Sequence, residues 1–203
     1  MLYAVSNAED YSSKSDKPTT NNDAEASPSK APFALPSLEE LFGLLPDDKP
    51  VRILDLGAPS SATFRYLRHQ KYSVRFENLN DFMASAIAEQ KQWDTAAFID
   101  SLEQYLTALG DNEQFDAIFA WDLLCFLSAE QITFLAKRLA KHCHKNTLFH
   151  CVRYWQGIHP DVPSEFHIQS PNSVTSNYNE RPLRHFQKPA SIYDIQKLMP
   201  SFY

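Results

Sequence analysis

The sequence predicts an α/β fold, a doubly wound and mostly parallel sheet with helices on both faces. Three observations point there. Val51-Arg52-Ile53-Leu54-Asp55-Leu56-Gly57 is a near-continuous apolar run closed by an acid and a glycine, with a helix-like segment from Ala62 behind it. Phe115-Asp116-Ala117-Ile118-Phe119-Ala120-Trp121-Asp122 reads as another strand, and Thr147-Leu148-Phe149-His150-Cys151-Val152 as a third. Helical patterns stand between these runs, the order that buries parallel strands under crossover helices.

Residues 1–35 are rich in Ser, Asn, Asp, Lys and Pro and poor in large apolar groups, so they read as a disordered tail before a domain over 36–203. Ser37-Leu38-Glu39-Glu40 has capping-box form ahead of Leu41, Phe42 and Leu45 on one helical face. The strand over 51–56 follows, then a helix near 62–70 and a strand at Ser73-Val74-Arg75-Phe76-Glu77. Asp81 is placed to cap a helix carrying Met83 and Ile87. A further helix starts near Asp94, puts Phe98, Leu102, Tyr105, Leu106 and Leu109 on one face, and ends at Gly110. After the strand at 115–122, Ser128-Ala129-Glu130-Gln131 opens a helix with a stripe of Ile132, Leu135, Ala136, Leu139 and Cys143. Residues 154–189 are polar and aromatic, a cover segment with a small hairpin between Phe166-His167-Ile168-Gln169 and Val174-Thr175-Ser176. Ser191-Ile192-Tyr193-Asp194 opens the last helix, which Pro200 ends.

With 203 residues and 43% hydrophobic content the chain can bury one ordinary core. A formal charge of −6 gives no electrostatic footprint for nucleic acid, and no stretch has membrane-spanning length. Cys125, Cys143 and Cys151 suit a reducing, cytoplasmic setting, and no secretory signal is visible.

Ligands of open α/β sheets lie outside the carboxyl ends of the strands, where free N–H groups and helix N-termini gather. That makes Asp55, Gly57 and the turn behind them the first candidate site. Only four glycines are present (Gly43, Gly57, Gly110 and Gly157), so Gly57 marks the place for any nucleotide-like ligand. His142, Cys143, His144, His150 and Cys151 invite a metal reading. Helix and strand periodicity scatters them, so no metal is expected. Cys125 reads as a small apolar group without an activating base. Arg153, Arg181, Arg184, His167 and His185 would either meet an anionic substrate or serve surface solvation.

Asp55-Leu56-Gly57 at the strand end, with the Phe115-Asp116-Ala117-Ile118 strand entry, resembles class I S-adenosylmethionine-dependent methyltransferases, whose fold is Rossmann-like. In that family motif I is D-x-G-x-G-x-G; here Pro59 and Ser61 stand at the second and third glycine positions. The resemblance implies S-adenosylmethionine as cofactor, with Asp55 beneath its methionine part and Gly57, Ala58 and Ser60 along the loop. Glu77, twenty residues beyond Gly57, would hold the ribose, and Asp122 would lie near the amino group or the transferred methyl. Each acid has a plainer reading as well: Asp55 as a turn former, Glu77 as a solvated edge residue, Asp122 as a loop acid. The family's third strand has only Ala96 to Asp100 as a stand-in. The elements stop where the family begins its sixth strand and antiparallel seventh. The chain is then a fragment, a homodimer through that exposed edge, or a sheet covered by 154–189.

Two functions follow from the resemblance. One is a methyltransferase acting on a small-molecule acceptor; the other is an inactive methyltransferase-like module that binds a ligand or protein partner. A nicotinamide-dependent oxidoreductase fits less well, because Pro59 stands where the pyrophosphate needs bare backbone.

Overall fold

A computed structural model describes residues 2–7, 31–88, 95–106, 109–110, 113–154, 158–177, 182–185 and 192–199. The elements in chain order are β1 (Leu2–Asn7), β2 (Phe33–Ala34), α1 (Pro36–Leu44), β3 (Arg52–Asp55), α2 (Ser61–His69) and β4 (Ser73–Phe76). Then come α3 (Leu79–Ala88), α4 (Thr95–Leu106), β5 (Phe115–Trp121), a 3-10 turn (Leu123–Phe126), α5 (Ala129–Ala140) and β6 (Cys143–Arg153). β7 (Ile158–Pro160), β8 (Phe166–Ser170), β9 (Ser173–Ser176), β10 (Leu183–His185) and α6 (Ile192–Leu198) complete it.

The main sheet is parallel and runs β1-β6-β5-β3-β4. The chain steps from β3 to β4 on one side, then returns past β3 to β5 on the other. The order therefore reverses between β3 and β5, whose register pairs Asp55 with Phe119. Helices cover both faces. Leu79, Met83, Phe98, Leu102, Leu135 and Ile195 of α3 to α6 pack on Leu54, Ile118 and Phe149. Leu38, Leu41 and Leu67 of α1 and α2 pack on Ile53, Ala117 and Phe119. β5 is buried along its whole length, which is why its sequence is nearly unbroken apolar text. This mixed α/β architecture is compatible with the Rossmann-like fold expected from the sequence.

A second, antiparallel sheet of order β2-β9-β8 lies on the α1/α2 side. Its β8–β9 hairpin is the one expected from the sequence, with Ile168 opposite Val174. Ile168 N–H donates to Thr63 Oγ1 at 3.0 Å, tying the hairpin to the first turn of α2. The capping box of α5 is also present, Ser128 accepting from Gln131 N–H and the Gln131 side chain from Ser128 N–H.

Several expectations need correction. Leu2–Asn7, placed in the disordered tail, form a strand beside β6, so the β6 edge expected to lie open is paired. Leu2-Tyr3-Ala4-Val5 is a short apolar run, brief beside the polar text that follows it. Phe33–Ala34 likewise add a short strand to β9. Ser37 is not an N-cap. Pro36 already starts α1, so Leu35 takes the cap position, and Ser37 Oγ meets His150 Nε2 at 3.2 Å. Asp81 lies inside the first turn of α3, where Asn78 bonds it through Nδ2 to Oδ2 at 2.6 Å. Cys143 begins β6 rather than continuing α5, which stops at Ala140. Ala96 to Asp100 are helical in α4, and the described residues between β4 and β5 hold no strand. Asp94 lies outside the described residues.

Candidate functional site

The carboxyl ends of β3 and β5 meet at the reversal of strand order, and both carry an acid there. Asp55 is 1% exposed. Its Oδ1 accepts the N–H of Gly57 at 2.8 Å and the indole Nε1–H of Trp121 at 2.7 Å. Burial pushes its carboxyl up to about 7, against the lowering effect of these two donors. Trp121 reaches this position because β5 slips register between Phe119 and Trp121, and because Trp121 takes φ of 46°. A bulky residue at positive φ is strained, and the strain turns the ring over the strand ends. Phe166 of β8 stacks on the indole, centroids 5.1 Å apart and planes 7° apart.

The indole rests on Gly57. A Cβ added there would lie 2.6 Å from Trp121 Cδ1 and 2.8 Å from Nε1, so only glycine fits beneath the ring. The bare backbone expected to admit a cofactor admits a tryptophan. Ala58 is half-buried beside it and Pro59 faces solvent. Ser60 is the N-cap of α2, its Oγ accepting from Thr63 N–H at 3.3 Å. The helix terminus that would offer N–H groups to an anion is thus partly closed by its own cap.

Asp122 is fully buried just past β5. Its Oδ2 accepts from Tyr154 OH at 2.6 Å and from Ser164 N–H at 3.0 Å. Burial raises its carboxyl to about 6, because these neutral donors offset only part of the lost hydration. Asp122 thereby clips the cover segment to the sheet, from the end of β6 to the turn before β8.

Glu77 follows β4 and accepts from Arg75 Nε at 2.6 Å. Arg75 also bonds Glu113, which pairs in turn with Arg52 at 3.1 Å. The carboxylate expected to hold a ribose is the end of this charged chain along the sheet edge. Asp55 binds Gly57 directly and also accepts the Glu77 N–H on its backbone oxygen at 2.8 Å. The Glu77 carboxylate turns to Arg75, and Asp122 turns to Tyr154 and Ser164.

The remaining candidates separate. His142 Nδ1 meets Glu113 O at 2.9 Å, and His144 Nε2 meets Asp116 at 3.2 Å, both at the amino end of the sheet. His150 is buried against Phe119 and Trp121, and burial takes its imidazole down to about 4. Among the described residues no group of three or more His, Cys, Asp or Glu is arranged to hold a metal ion. Burial drives the Cys125 thiol far up, against service as a nucleophile. His167 lies 3.8 Å from Glu165. Arg181 lies outside the described residues, as do the side chains of Arg184 and His185. Trp121, Tyr154, Ser164 and Phe166 were missed from the sequence. The one signal was an aromatic residue directly before the acid that ends a buried strand.

In this arrangement the residues do not fit S-adenosylmethionine: the indole occupies the approach to Gly57, and the three acids are engaged by protein donors. Comparison with protein-family models, with curated proteins and with solved structures finds no match to this chain. Among the described residues no helix is long and apolar enough to cross a membrane.

Proposed function

We propose that this chain is a methyltransferase-like module that binds a ligand or protein partner and does not turn over S-adenosylmethionine. One observation carries the reading: the Trp121 ring sits on Gly57, where an added Cβ would meet it at 2.6 Å. In the family that the sequence resembles, this glycine is where the cofactor approaches. Asp55, Ser60, Glu77 and Asp122 support the same reading, since each has a partner within the chain. The net charge of −6 favours a small-molecule or protein partner over nucleic acid. Free cysteines at 125, 143 and 151 suit the reducing cytoplasm.

A second reading is the methyltransferase itself, with Asp55, Gly57, Ala58, Ser60, Glu77 and Asp122 around the cofactor. The strained φ of 46° at Trp121 favours it, because release of that strain would swing the indole off Gly57. Calorimetric titration of S-adenosylmethionine into the chain and its Trp121→Ala and Asp55→Ala variants separates the two. The binding-module reading expects no heat from any of the three. Micromolar binding by the unaltered chain, lost in Asp55→Ala, establishes the cofactor site, and methyl transfer to an acceptor by that chain then overturns the binding-module reading.

A further inference from the structure

Arg153 ends β6 at the carboxyl edge of the sheet and is only 9% exposed, yet its Nε–H has no acceptor. Among the described residues no carboxylate forms an ion pair with it. Asp122, whose charge bears on Cys125 as that of Arg153 does, is taken by Tyr154 and Ser164. By strand alternation Arg153 follows Phe149 and Cys151 onto the face covered by α3 to α6. Its charge bears on the thiols of Cys125 and Cys151, in each opposing the larger upward push of burial. That sets the guanidinium beside the 3-10 turn, on the opposite face from Trp121 and Phe166.

A guanidinium cannot shed its proton, so a buried one without a countercharge is a standing cost that folded proteins seldom keep. We propose that Arg153 anchors a binding site for a small carboxylate- or phosphate-bearing ligand at the carboxyl end of β6. Carboxylate and phosphate share the feature that matters: two oxygens spaced to take parallel N–H bonds from the planar fork. The position lies at the carboxyl end of the sheet, the end at which ligands of open parallel sheets bind, one strand beyond the β3/β5 reversal. It does not require the indole to leave Gly57, so it fits the closed crevice as it stands. The inference gives the binding-module reading its ligand class and rests on that reading for its purpose.

Thermal unfolding of the full chain tests it, with sodium phosphate or sodium succinate at about 10 mM against sodium chloride of equal ionic strength. A saturating rise in midpoint of about 3 °C is expected with at least one of the two anions. Phosphate alone, succinate alone or both tells which chemistry is read. In Arg153→Met the anion response vanishes, and the midpoint in chloride stays level or rises because an unpaired charge has gone. Arg153→Lys keeps the charge without the fork and weakens the apparent affinity about tenfold. Three results overturn the site: no anion response in the unaltered chain, an equal response in Arg153→Met, or unchanged affinity in Arg153→Lys. Unfolding of Arg153→Met in chloride also overturns it, by revealing a partner acid within the chain. None of these results bears on the S-adenosylmethionine titration, so the two readings fail separately.

Discussion

Asp116 and Asp122 stand at opposite ends of the same buried strand and meet opposite surroundings. At the amino end, Asp116 accepts from Lys49 Nζ at 2.8 Å, Arg52 N–H at 2.9 Å and His144 Nε2 at 3.2 Å. Burial raises its carboxyl, but these donors outweigh it and hold the group below the usual carboxylate range. At the carboxyl end, Asp122 and Asp55 meet only neutral donors, and both are pushed up, to about 6 and about 7. The amino end is an ordinary stabilising ion cluster. The carboxyl end keeps buried acids without countercharge, as a ligand site does, yet supplies their donors from the chain itself. At the carboxyl end the chain's own side chains and backbone serve as the donors to both acids.

Removing the filling should break this contrast most. Trp121→Ala deletes the stack on Phe166 and one of two donors to Asp55, and should cost about 4 kcal/mol in urea unfolding. A loss under about 1 kcal/mol would mean that the ring is not seated on Gly57.

The pH dependence sharpens the contrast next. Asp55 has a folded-state pKa raised above 3.8, so the folded chain binds more protons and gains stability as pH falls from about 8 to about 5. His150 has the opposite sign: its lowered value removes stability as pH falls from 6.5 toward about 4. The two partly cancel in the unaltered chain. Comparing it with Asp55→Asn at each pH isolates the acid, and the difference should change by about 2–3 kcal/mol between pH 8 and 5. A flat difference contradicts the buried, countercharge-free placement.

Gly57→Ala should cost about 2 kcal/mol through overpacking against the indole, and Trp121→Ala should relieve most of that cost in the double variant. Additive losses would show that the two residues do not touch. The smallest effect belongs to the amino end. Lys49→Ala should cost under about 1 kcal/mol, since its side chain is 53% exposed.

What the sequence disclosed follows the range of the forces involved. β3 and β5 were legible because strands buried on both faces admit little but apolar residues. The α5 capping box and the β8–β9 hairpin were legible because both are decided within a few residues. Ser37 shows the limit of that approach. Its capping pattern is sound locally, but Pro36 fixes an earlier start and His150, distant in sequence, takes the hydroxyl. Asp55, Gly57 and Asp122 were singled out because strand ends announce themselves. Their true partners, Trp121, Tyr154 and Ser164, were not, since each contact joins segments far apart in the chain. The Arg75 partner of Glu77 is near in sequence, but the reach of Arg75 to Glu113 exists only in the fold.

The Trp121 indole N–H reports the central contact most directly. Its resonance in a nitrogen–proton correlation spectrum, assigned with Trp121→Phe, can be followed while S-adenosylmethionine is added. A ring sealed between Gly57, Phe166 and Asp55 predicts slow hydrogen exchange and no displacement up to millimolar ligand. A saturating displacement at micromolar ligand, with loss of exchange protection, would show that the ring leaves and the cofactor takes its place.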